Sequence, residues 1–106
     1  MAETYGVTGL SWTRLMAALE ETTQIEEVRI FGSRALGRAR NGSDIDLVLM
    51  GPQVTTKVAL DLAGRLNERE PIPYQFDVLN GNQIDNAELK DHVRRVGRTI
   101  FRRASL

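Results

Sequence analysis

Apolar residues recur at helical spacing in three parts of the chain. Each set stands at intervals of three and four residues, which places it on one side of an α-helix. The spacing predicts helices over residues 11–22, 55–68 and 86–96, each with an apolar face turned towards a core. The three apolar sets are Trp12, Leu15, Met16 and Leu19; Val58, Ala59, Leu62, Ala63 and Leu66; and Leu89, Val93 and Val96.

Short apolar runs lie between these helices and predict β-strands. They cover residues 28–31, 45–50 and 74–79, and a glycine or proline stands next to each run. Residues 99–102 form either a final short strand or a tail. The alternation of helical and strand patterns predicts an α/β fold, in which a small mixed β-sheet carries helices mainly on one face.

Two carboxylates open the second predicted strand. Side chains alternate along a strand, so Asp44 and Asp46 point the same way if residues 44–49 are extended. Two ionised carboxylates this close repel each other. A divalent cation removes the repulsion, and ligation by oxygen atoms alone suits Mg²⁺. Asp77 is a third acidic residue inside an apolar run, where strand propensity disfavours one.

Simpler interpretations of the three carboxylates stay open. Asp44 could belong to a surface turn with an Asx contact, Asp46 could pair with an arginine, and Asp77 could be a surface residue at a strand end. A calcium loop is excluded because its glycine and its final glutamate are missing at the required offsets. Three carboxylates beside core strands nevertheless favour a metal site.

A glycine–serine pair ends the first predicted strand. Gly32 allows the backbone to turn sharply and to approach a ligand, and Ser33 is a suitable N-cap for a short helix that follows. The N–H groups at a helix start favour phosphate. Arg34, Arg38 and Arg40 follow, and they either form a solvated basic loop or clamp a triphosphate.

The spacing between the glycine–serine pair and the aspartates carries a family resemblance. Gly32-Ser33, ten residues and then Asp44-x-Asp46 resembles the signature of the polymerase-beta-like nucleotidyltransferases. In length the chain is similar to the minimal nucleotidyltransferases, whose members often act as antitoxins beside HEPN ribonuclease toxins. Asp77 matches the third carboxylate of that family, and residues 93–101 are similar to its C-terminal part.

The resemblance implies an activity and a set of site residues. The activity is an Mg²⁺-dependent transfer of AMP from ATP, the substrate, to a hydroxyl group. Asp44, Asp46 and Asp77 are implied as the catalytic residues and as the ligands of two Mg²⁺ ions. Nucleotide contacts are implied for four residues: Gly32, Ser33, Arg34 and Ser43. The expected acceptor is a HEPN-type toxin, which the antitoxin neutralises by AMPylation.

Two other functions stay open at this point. The protein could neutralise a toxin by docking alone, with catalysis secondary or lost. It could also transfer a nucleotide to a small molecule such as an aminoglycoside, although related enzymes of that kind carry an added helical domain. The intact set of three carboxylates favours the protein-modifying enzyme.

Composition narrows the class of partner. With 106 residues we expect a single domain over residues 1–106, of which residues 1–9 are flexible. The 14 basic and 14 acidic residues balance, so we expect no direct binding to nucleic acid. There is no cysteine, no apolar run of membrane-spanning length and no signal peptide pattern at the start, so we expect a cytoplasmic protein without a membrane partner.

The only histidine, His92, falls on the third predicted helix. A histidine on a helix face is usually structural or exposed to solvent. HEPN ribonucleases carry an arginine a few residues before a histidine, and residues 85–87 supply none, so nuclease chemistry is not expected in this chain. Arginines are frequent after residue 93, which indicates either a solvated helix end or a contact with a partner.

Overall fold

The structure is a computed structural model that describes residues 4–40 and 42–103. Within these residues the helices are α1 (Gly9–Glu21), α2 (Gly32–Ala35), α3 (Thr56–Gly64) and α4 (Ala87–Val96). The strands are β1 (Glu27–Phe31), β2 (Ile45–Met50), β3 (Phe76–Asn80) and β4 (Arg98–Arg102). A π-helical turn, Arg65–Arg69, continues α3, and a 3-10 turn, Gly81–Gln83, follows β3. The predicted elements are all present, and the last one is a strand.

Side-chain caps fix where two of the helices begin. Thr55 Oγ1 accepts the backbone N–H of Val58 at 3.2 Å at the start of α3. Asn86 Oδ1 accepts the N–H of Leu89 at 3.0 Å at the start of α4. Both side chains satisfy first-turn N–H groups that have no helical carbonyl to bind.

The four strands form one mixed sheet in the order β3–β2–β1–β4. Strand β1 runs antiparallel to β2 and to β4, whereas β2 and β3 are parallel. The parallel pair is joined by α3, since parallel neighbours need a crossover connection. In this register Asp46 stands opposite Phe31 of β1 and opposite Asp77 of β3.

The two faces of the sheet carry cores of different size. The larger core contains alternate residues of β1 and β2, such as Ile30 and Leu47, packed against α1, α3 and the π-helical turn. The opposite face holds a small cluster of Phe31, Val48 and Val93, of which the last lies on α4. The predicted fold class, with helices mainly on one face, is therefore confirmed.

The first described residues pack onto the domain. Val7 is buried in the larger core, and Tyr5 packs against it. The carbonyl of Tyr5 accepts a hydrogen bond from Arg34 at 3.0 Å. The flexibility of residues 1–9 stays a prediction: residues 1–3 lie outside the described part of the chain, and residues 5–7 contact α2 and the core. No helix in the described residues has the length and apolar character to cross a membrane.

Arg103 closes the end of the described chain onto α1. Its guanidinium donates to the carbonyls of Ile25, Glu20 and Thr22 at 3.0–3.2 Å. Cations are stabilised at the carbonyl end of a helix. This arginine of the basic tail therefore has a structural role.

Asn67, in the π-helical turn, closes the outer edge of β3. Its Nδ2 donates to the carbonyl of Phe76 at 3.0 Å, and its Oδ1 accepts the N–H of Phe76 at 2.7 Å. Because Phe76 is buried, Asn67→Ala leaves two backbone groups without partners and is expected to cost about 1–3 kcal/mol of stability. Urea unfolding measures the loss. Glu68→Ala, at an exposed neighbour, is the control and should stay within about 0.5 kcal/mol of the parent, and equal stability of the two variants would contradict the bridging role.

Candidate active site

The three predicted carboxylates lie together on the α4 side of the sheet. Asp44 directly precedes β2, Asp46 is the second residue of β2, and Asp77 is the second residue of β3. Because β2 and β3 are parallel and in register, Asp46 and Asp77 are direct neighbours. Asp44 and Asp77 are exposed and Asp46 is half-buried, so the group opens towards solvent.

The pKa of Asp46 reflects its burial and its acidic neighbours. Burial raises the pKa of Asp46 above its usual range, and the charges of Asp77 and Asp44 raise the pKa further. His92 and Arg34 act on this pKa in the opposite direction. Asp46 therefore sits where negative charge is disfavoured by the protein alone, which is the condition that a bound cation relieves.

Gly32 brings the turn after β1 against the same carboxylate. Its φ of +73° lies in the left-handed region, which glycine adopts without strain. A Cβ built on Gly32 would overlap Asp46 Oδ2. Glycine is therefore favoured at position 32 by the backbone conformation and by the closeness of the Asp46 carboxylate.

The short helix α2 begins two residues earlier than predicted. Gly32 is its first residue and Phe31 stands at the N-cap position without a side-chain cap, so the expectation that Ser33 caps this helix was wrong. The αL conformation of Gly32 turns the chain into the helix directly. Ser33 lies inside the turn, and its carbonyl accepts the N–H of Arg38 at 2.8 Å.

Arg34 is buried and holds the loop that leads to the aspartates. Its guanidinium donates to the carbonyls of Ser43 at 2.7 Å and Asp44 at 3.3 Å, besides that of Tyr5. The guanidinium also lies over the ring of Tyr74, 5.1 Å from its centroid. With a side chain that is 4% exposed, Arg34 acts on the site by fixing the peptide groups on either side of Asp44.

Ser43 serves the same loop. Its Oγ accepts the N–H of Arg40 at 2.8 Å, and its own N–H donates to the carbonyl of Arg40 at 3.0 Å. The structure thus places Ser43 next to Asp44, within a closed turn. Its predicted contact with a nucleotide, like that of Arg34, stays a prediction.

His92 is a site residue that the sequence analysis missed. The N–H of Gly32 donates to His92 Nε2 at 3.2 Å. The imidazole stands edge-on to Phe31, with ring centroids 6.0 Å apart and an interplanar angle of 80°. In the sequence, His92 is marked only by its position next to Val93, which faces inward. That position does not reveal that α4 covers the end of β1, where Gly32 lies.

The donor set fits Mg²⁺ in its chemistry. Three carboxylates supply oxygen ligands on one face, and after burial the charges of Asp77 and Asp44 add to the raised pKa of Asp46. In the described residues, no group of three or more acidic or histidine side chains is already closed around one point as a metal cage. Mg²⁺ is usually held by one or two carboxylates together with substrate phosphates and water, so a preformed cage is not required.

An apolar groove is lined by residues that follow Asp77 in the chain. It has a volume of about 420 Å³ and begins at Val78 and Leu79, the two residues after Asp77. Ile84 and Leu89 line its other side, at the start of α4.

A family model covers most of the chain. The model described as polymerase beta, nucleotidyltransferase matches residues 14–105. That range contains β1, β2 and β3 together with the turn at Gly32 and all three carboxylates. No curated protein sequence matches the chain significantly.

Solved structures share the fold. A chain of a toxin–antitoxin complex crystallised with AMP-PNP has a TM-score of 0.71 at 17% identity, over 87% of this chain and 73% of that chain. A chain from the tri-AMPylated Shewanella oneidensis HEPN toxin in complex with its MNT antitoxin has a TM-score of 0.65 at 16% identity, over 89% and 71%. A protein described as a minimal nucleotidyltransferase has a TM-score of 0.54 at 27% identity, over 81% and 88%.

Proposed function

The chain belongs to the polymerase beta nucleotidyltransferase family, and we propose that it transfers AMP from ATP to a hydroxyl group of a partner protein. The observation that carries the proposal is the pairing of Asp46 with Asp77 across parallel strands, with Gly32 against the same carboxylate. Asp44, one residue before β2, completes the acidic face. The family and this arrangement together support a nucleotidyltransferase that works with a divalent cation.

Each part of the site has a role in the proposed reaction. Asp44, Asp46 and Asp77 would hold Mg²⁺ together with phosphate oxygens of ATP. When bound, Mg²⁺ would neutralise phosphate charge and make the attacking hydroxyl more acidic. The turn at Gly32 and Ser33 would hold the β- and γ-phosphates.

Asp77 would serve the acceptor side of the reaction. It is exposed and lies on the edge strand β3. The acceptor oxygen would form a bond to the α-phosphorus while the bond from that phosphorus to the bridging oxygen breaks, and pyrophosphate leaves. Asp77 would take the proton from the hydroxyl, because it is exposed at the edge of the sheet, where an acceptor can approach.

The proposed partner is a HEPN-type toxin, with the protein acting as its antitoxin. Two structures that share this fold come from toxin–antitoxin complexes, one with AMP-PNP and one with an AMPylated HEPN toxin. The carboxylates lie open on a sheet face, which suits an acceptor delivered by another folded chain. AMP placed near the active residues of a ribonuclease would repel RNA by its charge.

Mass spectrometry of the partner tests the transfer. The partner is purified with this protein and incubated with ATP and Mg²⁺, and a gain of one or more AMP masses is expected. Asp44→Ala is expected to abolish the gain, because it removes a ligand on the exposed side of the site. Asp61→Ala is the control, since Asp61 is an exposed carboxylate on α3, paired with Lys57.

The docking alternative makes the opposite prediction. If the protein neutralises the toxin by binding alone, the partner gains no mass and Asp44→Ala still inhibits it fully. That result would overturn the proposed AMP transfer and leave the docking function.

A further inference from the structure

The backbone N–H of Gly32 donates a hydrogen bond to Nε2 of His92. We propose that His92 holds the place of a phosphate oxygen at this N–H, and that the triphosphate displaces it when ATP binds. The inference rests on the proposed function, because it assumes that the turn at Gly32 holds phosphate. It assigns His92 a part in nucleotide binding that neither the sequence nor the family signature contains.

Nε2 of His92 accepts the Gly32 N–H in the way that an anion oxygen accepts a backbone N–H at a turn. Nε2 of His92 accepts the hydrogen bond at 3.2 Å, so this ring nitrogen supplies a lone pair where a phosphate oxygen would supply one. A backbone N–H carries one hydrogen and makes one strong bond at a time. A charged phosphate oxygen is the stronger acceptor of the two, so it would win the competition with a neutral imidazole.

The location of His92 places it beside the proposed phosphate position. Gly32 touches Asp46, and the imidazole packs edge-on against Phe31, whose register partner is Asp46. A phosphate chain held between the carboxylates and the glycine turn would therefore meet the imidazole.

Helix α4, which carries His92, is lightly held on the sheet. Val93 is its buried residue, whereas Leu89 is partly buried and packs against the small cluster of Phe31 and Val48. The outward side of α4 carries exposed charged residues such as Arg94 and Arg95. A helix with so small an apolar contact can shift at low cost, so the loss of the bond to Gly32 is expected to loosen α4.

Calorimetric binding of AMP-PNP in the presence of Mg²⁺ tests the displacement. His92→Leu keeps an apolar contact with Phe31 but removes the competing acceptor, so it is expected to bind AMP-PNP about two- to tenfold more tightly than the parent protein. His92→Gln should bind like the parent, because the amide oxygen of glutamine is an acceptor at a similar reach. Glu88→Gln, at an exposed position on the same helix, is the matched control and should not change the affinity.

Hydrogen exchange gives a readout that needs no variant. In the parent protein AMP-PNP is expected to increase amide exchange over residues 87–96 while protecting the Gly32 amide. In His92→Leu the exchange over residues 87–96 should be raised before nucleotide is added and should change little afterwards. A histidine with a purely structural role would leave the affinity of the Leu variant unchanged or weaker.

The outcomes separate this inference from the proposed function. Failure of the parent protein to bind AMP-PNP would overturn both. Normal binding by the parent, with no gain in affinity for His92→Leu and no change in exchange over residues 87–96, would overturn the role of His92 and leave the nucleotidyltransferase proposal intact.

Discussion

Replacing Asp46 with Asn is expected to lower AMP transfer by at least about a hundredfold, since even groups that only support a metal ligand are typically worth 10- to 100-fold. Asn keeps the size of the side chain but loses the charge. Asp46 neighbours the other two carboxylates, so its loss would affect every metal position that we propose for this face. AMP transfer to the partner, followed over time by mass spectrometry, measures the effect.

The same substitution is expected to stabilise the nucleotide-free protein at neutral pH. The folded-state pKa of Asp46 is raised, mainly by burial and then by Asp77 and Asp44. A raised pKa means that folding favours the protonated form. The stabilising contribution is therefore present below the unfolded pKa, near 3.8, and is lost as the pH rises through the folded value. At pH 7 the carboxylate is a net cost to folding that Asn does not carry.

Urea unfolding between pH 4 and pH 8 checks this sign. The stability advantage of Asp46→Asn over the parent should grow as the pH rises. Asp91→Asn is a control of opposite sign, because hydrogen bonds from Arg95 and Arg94 lower the pKa of Asp91. That variant should lose a little stability at pH 7 and approach the parent at low pH. An Asp46→Asn protein that is less stable than the parent at pH 7 would show that Asp46 has a stabilising partner, which contradicts a raised folded-state pKa.

Local patterns in the sequence were sufficient to predict the helices and strands and to place two of the three carboxylates on one side of a strand. Period-two alternation put Asp44 and Asp46 on one side of an extended segment, and the structure keeps them together at the start of β2. Helical spacing predicted α1, α3 and α4, because each has one apolar face to bury. The neighbouring placement of Asp77 came from the family resemblance. It depends on the parallel pairing of β2 with β3, which neither strand specifies alone.

The features that were not predicted depend on contacts between distant parts of the chain. The sequence around Arg34 is compatible both with a contact to phosphate and with a solvated side chain. Arg34 is buried because two distant tyrosines contact it. The carbonyl of Tyr5, 29 positions away, accepts its hydrogen bond, and the ring of Tyr74, 40 positions away, lies under its guanidinium. His92 is 60 positions from Gly32. A helical stripe shows that α4 packs against something, but it does not show which face of the sheet receives it.

Replacing Gly32 with Ala is expected to remove most of the AMP transfer and to destabilise the fold as well. Ala at a φ of +73° costs about 1–2 kcal/mol. The new methyl group would also overlap Asp46 Oδ2, so either the turn or the carboxylate has to move. A displacement of about 1 Å at a reacting centre can cost about a hundredfold in rate, and this displacement occurs at the central carboxylate.

The same substitution at Gly37 separates the cost of backbone strain from the cost of the contact with Asp46. Its φ of +72° is nearly the same, but a Cβ built there meets no heavy atom of the described residues within 4 Å. Gly37→Ala should therefore show the backbone strain alone, with AMP transfer near that of the parent. The difference in stability between the two alanine variants, measured by urea unfolding, gives the cost of the contact with Asp46.

The contact with Asp46 also predicts how the two site substitutions combine. Asn has nearly the same size as Asp, so the steric conflict with an alanine at position 32 persists when position 46 is Asn. The stability cost of Gly32→Ala should therefore be similar in the parent and in the Asp46→Asn background. The losses of AMP transfer in the two single variants should not be additive in the double variant, because both changes disable the same carboxylate. Full additivity of the two losses in transfer would show that Gly32 contributes through the phosphates and not by positioning Asp46.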